Sequence, residues 1–172
     1  LKANITGANV VAVGYKALSA DTKGFGSVAI GNQALENQNF TTNTDTYNTA
    51  VGYFAGNDIT TGTRNTFVGG LAGDGTDDGV DNTAMGYGSL SVNCGGYNTA
   101  VGIHTLAVCT GASNTCVGHA AGLAVTSGSN NLFLGNNSGR TGSPGGNMTN
   151  DADKIVLGDD GIAEAHIQVD WT

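Results

Sequence analysis

The chain has 172 residues, room for one domain with a sizeable core; 39% of them are hydrophobic, mostly Ala, Val and Leu, and only 12% charged, too apolar for a disordered polar tract. The net charge of -8 leaves six basic residues scattered along the sequence, Lys2, Lys16, Lys23, Arg64, Arg140 and Lys154, so no basic stripe exists to hold a nucleic acid. No apolar run reaches the ~20 residues of a membrane helix, which argues against membrane insertion.

In chain order the predicted strands are VVAVG, SVAIG, NTAVG, NTFVG, NTAMG, NTAVG, NTCVG, NLFLG and KIVLG, ending at Gly14, Gly31, Gly52, Gly69, Gly86, Gly102, Gly118, Gly135 and Gly158. The basal period is near 17 residues, stretched by insertions at about Glu36–Thr46 and Thr141–Asp153. No window shows the apolar spacing of an amphipathic helix. Each unit reads as one strand, a turn, a second weaker strand and a return loop, and the turns are built from Gly, Asn, Asp and Ser because Pro144 is the single proline. The expected fold is all-β, a parallel β-solenoid or β-roll of about nine coils. Residues 1–140 form the repeat roll, 141–153 an inserted loop, and 154–172 the last repeat strand and a C-terminal strand. A start at Leu1 rather than Met reads as a piece of a longer chain.

Both strand faces are apolar. The residue before the glycine is always Val, Ile, Met or Leu, and the residue three before is Val, Thr, Leu or Ile; this face is expected to line the coil. The other face carries Ala12, Ala29, Ala50, Phe67, Ala84, Ala100, Cys116, Phe133 and Val156. A coil encloses one face, so the small-residue face is expected to pack against copies of itself in a homotrimer, with the strands intertwined or side by side. Asn48, Asn65, Asn82, Asn98, Asn114 and Asn131 stand four before the glycine, placed for a hydrogen-bonded ladder.

SVAIGNQAL and VVAVGYKAL are similar to the head repeats of trimeric autotransporter adhesins. The longer NTAVGYFAG, NTFVGGLAG and NTAVGIHTL units more closely resemble repeats of bacteriophage tail fibres and tail spikes, and KIVLGDDGIAEAHIQVDWT resembles the stretch that precedes their self-cleaving C-terminal chaperone. The resemblance runs from about Val10 to Thr172. It implies a homotrimeric rod in the virion tail that attaches to a host-surface polysaccharide or protein. The alternatives are a bacterial surface adhesin head, or a glycan-degrading tail spike with an active site between subunits.

Chemistry-bearing residues are sparse, and no catalytic residue is assigned. Asp74, Asp77, Asp78 and Asp81 lie in DGTDDGVD, which has the oxygen-rich look of a calcium loop but lacks the bidentate Glu of an EF-hand, so a solvated acidic turn is preferred and no cofactor is expected. His104, His119 and His166 have no nucleophile elbow. Cys94, Cys109 and Cys116 are odd in number, lack zinc spacing and read as small buried thiols. Thr49, Thr66, Thr83, Thr99 and Thr115 resemble the arrays of ice-binding solenoids, but their face is expected inside. Phe40, Tyr47, Tyr53, Phe54, Tyr87 and Tyr97 lie at turns, where exposed aromatics would contact a receptor.

Overall fold

A computed structural model describes residues 3–159, 161 and 162. The rest of the expected C-terminal strand, and His166, lie outside the described residues. Among the described residues there is no helix, and eleven strands follow one another: β1 (Val11–Val13), β2 (Gly24–Phe25), β3 (Val28–Ile30), β4 (Thr44–Asp45), β5 (Thr49–Val51), β6 (Thr66–Val68), β7 (Thr83–Met85), β8 (Thr99–Val101), β9 (Thr115–Val117), β10 (Leu132–Leu134) and β11 (Ile155–Leu157). All nine repeat strands enter one parallel sheet in sequence order, β1-β3-β5-β6-β7-β8-β9-β10-β11. Every pair is in register, Ala50 beside Phe67 and Phe67 beside Ala84, so equal positions of the repeat stack into columns. The molecule is a parallel β-solenoid.

The strands are short because glycine ends each one. Gly86 has φ +130°, and a Cβ there would sit 2.6 Å from the carbonyl carbon and oxygen of Gly102. Only glycine reaches that backbone angle and that approach together. The return path is not a second strand, as the sequence had suggested; the exception is β2 with β4, a two-stranded ribbon formed by the first insertion. Elsewhere left-handed residues recur two and four positions after the glycine, as at His104 (φ 55°) and Leu106 (φ 50°), and five before it, as at Tyr97 (φ 64°). Their N–H groups point along the stack instead of within the repeat. His104 N donates to Tyr87 O of the preceding repeat, and Leu106 N donates to Ala121 O of the following one.

The two strand faces are exchanged relative to expectation. Ala29, Ala50, Phe67, Ala84, Ala100, Cys116 and Phe133 are fully buried inside the coil, together with Leu18, Leu35, Leu90 and Leu106 four positions after the glycine. The expected lining is outside: Val13, Ile30, Met85, Val117, Leu134 and Leu157 are exposed, and Val51, Val68 and Val101 half-buried. The threonine column shares that outward face, half-buried at Thr49, Thr66, Thr83 and Thr99 and exposed at Thr115. The cause is width. A coil of about 17 residues has room for an Ala against a Leu, or one aromatic ring, but not for two branched columns.

Where the ring occurs, the opposite wall gives way. A Cβ on Gly56 or Gly73 would lie 2.9 or 2.6 Å from the Phe67 ring, and one on Gly122 or Gly139 would lie 3.1 or 3.2 Å from that of Phe133. Those glycines occupy the column that holds Leu18, Leu35, Leu90 and Leu106 in other repeats. Each Phe thus fills a space spanning two repeats whose leucines are missing.

Candidate functional site

The asparagine column binds successive repeats from within. Asn65 N donates to Asn48 Oδ1 at 2.9 Å, and the pattern repeats from Asn82 to Asn65, Asn98 to Asn82 and Asn114 to Asn98, each at 2.9 Å, then from Asn131 to Asn114 at 3.1 Å. The amide nitrogens of Asn48, Asn65 and Asn114 donate to the carbonyls of Gly62, Gly79 and Gly128 in the next repeat. Asn82 Nδ2 has no such acceptor; in the shortened repeat that follows, the Gly95 carbonyl is taken by Asn98 itself.

The turn aromatics fall on two edges of the stack. Tyr53 and Tyr87 follow the strand-ending glycine directly, in one column with Tyr15, and all three are exposed. Tyr47 and Tyr97 are exposed on the left-handed corner ahead of the strand, with Arg64 and Asp81 between them in the same column. Arg64 grips Asp81 through two nitrogens at 2.7 Å each, which holds that carboxyl below the usual carboxylate range. Phe54 is half-buried against Tyr53, their ring centroids 4.5 Å apart. Phe40 is not a surface aromatic: it is only 7% exposed, because the first insertion folds back on the coil, Asn39 N donating to Thr60 O and Thr22 Oγ1 to Phe40 O.

The acidic turn does not converge. Asp81 is committed to Arg64, and Asp77 accepts a hydrogen bond from Thr60 Oγ1. Asp78 is exposed, while Asp74 is half-buried with one oxygen unpartnered, and burial raises its pKa. Among the described residues no group of three or more His, Cys, Asp or Glu side chains is placed to hold a metal ion. His104 meets Tyr87 edge-on at 5.5 Å, and His119 Nδ1 lies 3.2 Å from Asn136 Oδ1. Cys94, Cys109 and Cys116 are buried free thiols; burial pushes Cys109 up to about 11 and raises the other two, which makes them poor nucleophiles.

Two features had no strong sequence signal. Asp21 is fully buried in the first turn. Burial raises its pKa, and the N–H groups of Phe40, Gly24 and Thr22 and the Gln38 amide that face it only partly offset this, since none closes a well-formed hydrogen bond. The second insertion builds an open hollow of about 420 Å³ with Asn137, Arg140, Thr141, Asn147 and Asp159 around its polar wall and Leu123 and Ala124 on its apolar one.

The outward ribbon of the sheet is the largest coherent surface. Its two columns, one and three residues before the glycine, contain Val, Ile, Leu, Met and Thr and no charged residue over all nine strands. No protein-family model, curated protein or solved structure matches the chain.

Proposed function

We propose that this chain is a structural and adhesive rod segment of a bacteriophage tail fibre or tail spike, associated with two further copies of itself. The observation that carries the reading is the uncharged outward ribbon. Nine strands at ~4.8 Å spacing make it about 38 Å long, and the three residues of each strand make it about 10 Å wide, some 400 Å² of contiguous, largely apolar surface. A patch of this size on a protein surface often serves an interaction, and depletion of charge marks the centre of protein interfaces. The association face is therefore the Val/Thr side of the strand, not the alanine side expected from sequence. A three-fold arrangement is favoured over a pair by the likeness of the SVAIG and VVAVG units to trimeric adhesin heads. In such a particle the threonine column is covered by neighbouring copies, while the corners with Tyr47, Tyr53, Tyr87 and Tyr97 lie beside the ribbon, free to touch a host-surface polysaccharide or protein.

β-Solenoids serve structural proteins and enzymes alike, so the fold alone does not separate the two. The adhesive reading stands on the ribbon. Light scattering coupled to gel filtration tests it. Three chains per particle are expected, and Val68→Lys with Val101→Lys should release monomers that keep the β-sheet circular dichroism of the parent. A parent chain that is itself a well-folded monomer at micromolar concentration overturns the proposal.

A further inference from the structure

We infer that Tyr15, Tyr53 and Tyr87 form a track for a neutral, linear polysaccharide of extended, equatorially linked pyranose rings. The inference rests on the adhesive reading above and names the ligand of one of its edges. The three tyrosines occupy the same position of the first, third and fifth repeats, directly after Gly14, Gly52 and Gly86. Because the strands run in register, their Cα atoms stand two strand spacings apart, about 10 Å each. All are more than half exposed, at 67%, 59% and 51%.

Between them the column carries Asn32, which is exposed, and then Gly70. A Cβ on Gly70 would come within 3.5 Å of Tyr87 Cδ2, so the ring leans across the space the glycine leaves. The rings are also held. Tyr53 packs on Phe54 and Tyr87 on His104. The Lys16 ammonium, fixed by Glu36 at 2.7 Å, stands 5.8 Å from the Tyr15 ring centre. An ordered row of rings loses little side-chain freedom when a ligand arrives.

The spacing selects the ligand. In an extended, equatorially linked pyranose chain each ring advances by roughly one strand spacing, so alternate sugars meet a tyrosine. Their axial C–H bonds, slightly positive, rest on the negative face of the phenol ring. The sugar between Tyr15 and Tyr53 faces Asn32, whose amide both donates to and accepts from hydroxyls, and the sugar between Tyr53 and Tyr87 meets the Tyr87 ring where it lies over Gly70. A polyanion is disfavoured because the net charge of -8 repels it. Helical α-linked glucans do not keep the step.

The test is calorimetric titration of the intact chain with cello-oligosaccharides of increasing length, with maltohexaose as the control. Affinity should step up at the trisaccharide, which spans two tyrosines, and again at the pentasaccharide, which spans three, by about tenfold each. Tyr53→Ala should remove the step at the trisaccharide and leave a single step at the pentasaccharide, which still spans Tyr15 and Tyr87; Tyr53→Phe should keep both steps; Thr61→Ala, an exposed position away from the row, should change nothing. A smooth rise with length, equal binding of maltohexaose, indifference to Tyr53→Ala, or no binding of any β-linked oligomer overturns the track. The particle mass measured on the same sample keeps the two ideas apart. Stepwise binding by a monomer supports the track while rejecting the trimer, and a trimer without binding does the reverse.

Discussion

Phe67→Ala would empty a space that its surroundings cannot close. Phe67 is fully buried between Ala50 and Ala84, and across the coil it meets Gly56 and Gly73, which have no side chain to move into the gap. Phe→Ala substitutions in cores cost 3–5 kcal/mol, more where collapse is blocked, so a loss of about 4–5 kcal/mol is expected. Gly73→Leu should also be costly, by about 3 kcal/mol, because its Cβ alone would lie 2.6 Å from the ring. The triple change Phe67→Ala, Gly56→Leu and Gly73→Leu converts both repeats to the pattern of the repeats with Ala29 and Leu35 and with Ala84 and Leu90. Leucine already tolerates the required backbone there, at φ 49° and 50°, and the triple variant should return to within about 1.5 kcal/mol of the parent. Guanidinium unfolding followed by circular dichroism measures all three, with hydrogen exchange at Thr66 and Thr83 reporting local opening, since stacked repeats touch only their neighbours. Losses that simply add, leaving the triple variant the least stable, would refute the size-compensation argument.

Three further outcomes are expected. Asn98→Ala strands the buried N–H of Asn114 and the carbonyl of Gly111 and should cost about 2–4 kcal/mol, whereas Asn98→Asp, which keeps the acceptor but sets a buried carboxylate against the Gly95 and Gly111 carbonyls, should cost more at pH 7 and less as the pH falls; denaturant titration ranks them. Gly86→Ala places a Cβ 2.6 Å from backbone of Gly102 and should lower the melting temperature far more than Gly146→Ala, where nothing lies within 4 Å; a calorimetric scan of the two decides. For Asp21 the folded pKa lies above the unfolded value of about 3.9, so its neutral form is the one that folding favours, and stability is full below pH ~4 and falls as the pH rises through the folded pKa. Asp21→Asn should match the parent's pH trend less that fall, gaining on the parent as the pH rises to 7; a constant difference from pH 3 to pH 7 would assign the carboxyl no role.

The repeat, the strands and their parallel stacking could be read from the sequence because one pattern recurs in phase, and a column of Asn or of Gly is a column in space once the period is known. Which strand face turns inward could not be read from apolarity, since Ala and Phe alternate with Val and Thr and both sides are hydrophobic. The informative signal lay elsewhere in the repeat: Phe67 and Phe133 coincide with glycine, where the other repeats have Leu18, Leu35, Leu90 and Leu106. A large ring matched to missing leucines is a sign of shared interior. Phe40 misled because an insertion was taken as surface, whereas Asn39 and Phe40 are tied back to the coil. The alternation of Tyr15, Tyr53 and Tyr87 becomes a row only when the first insertion is known to leave the register intact.

That last property reaches beyond the tyrosines. Despite the extra residues before Thr49 and before Ile155, Val28 still pairs with Thr49 and Leu132 with Ile155. Closing a longer excursion raises the entropic cost only logarithmically. The corner of this fold is thus a natural port for grafting. Foreign peptide spliced at either excursion would be displayed at a fixed height along the stack while the scaffold beneath stays the same.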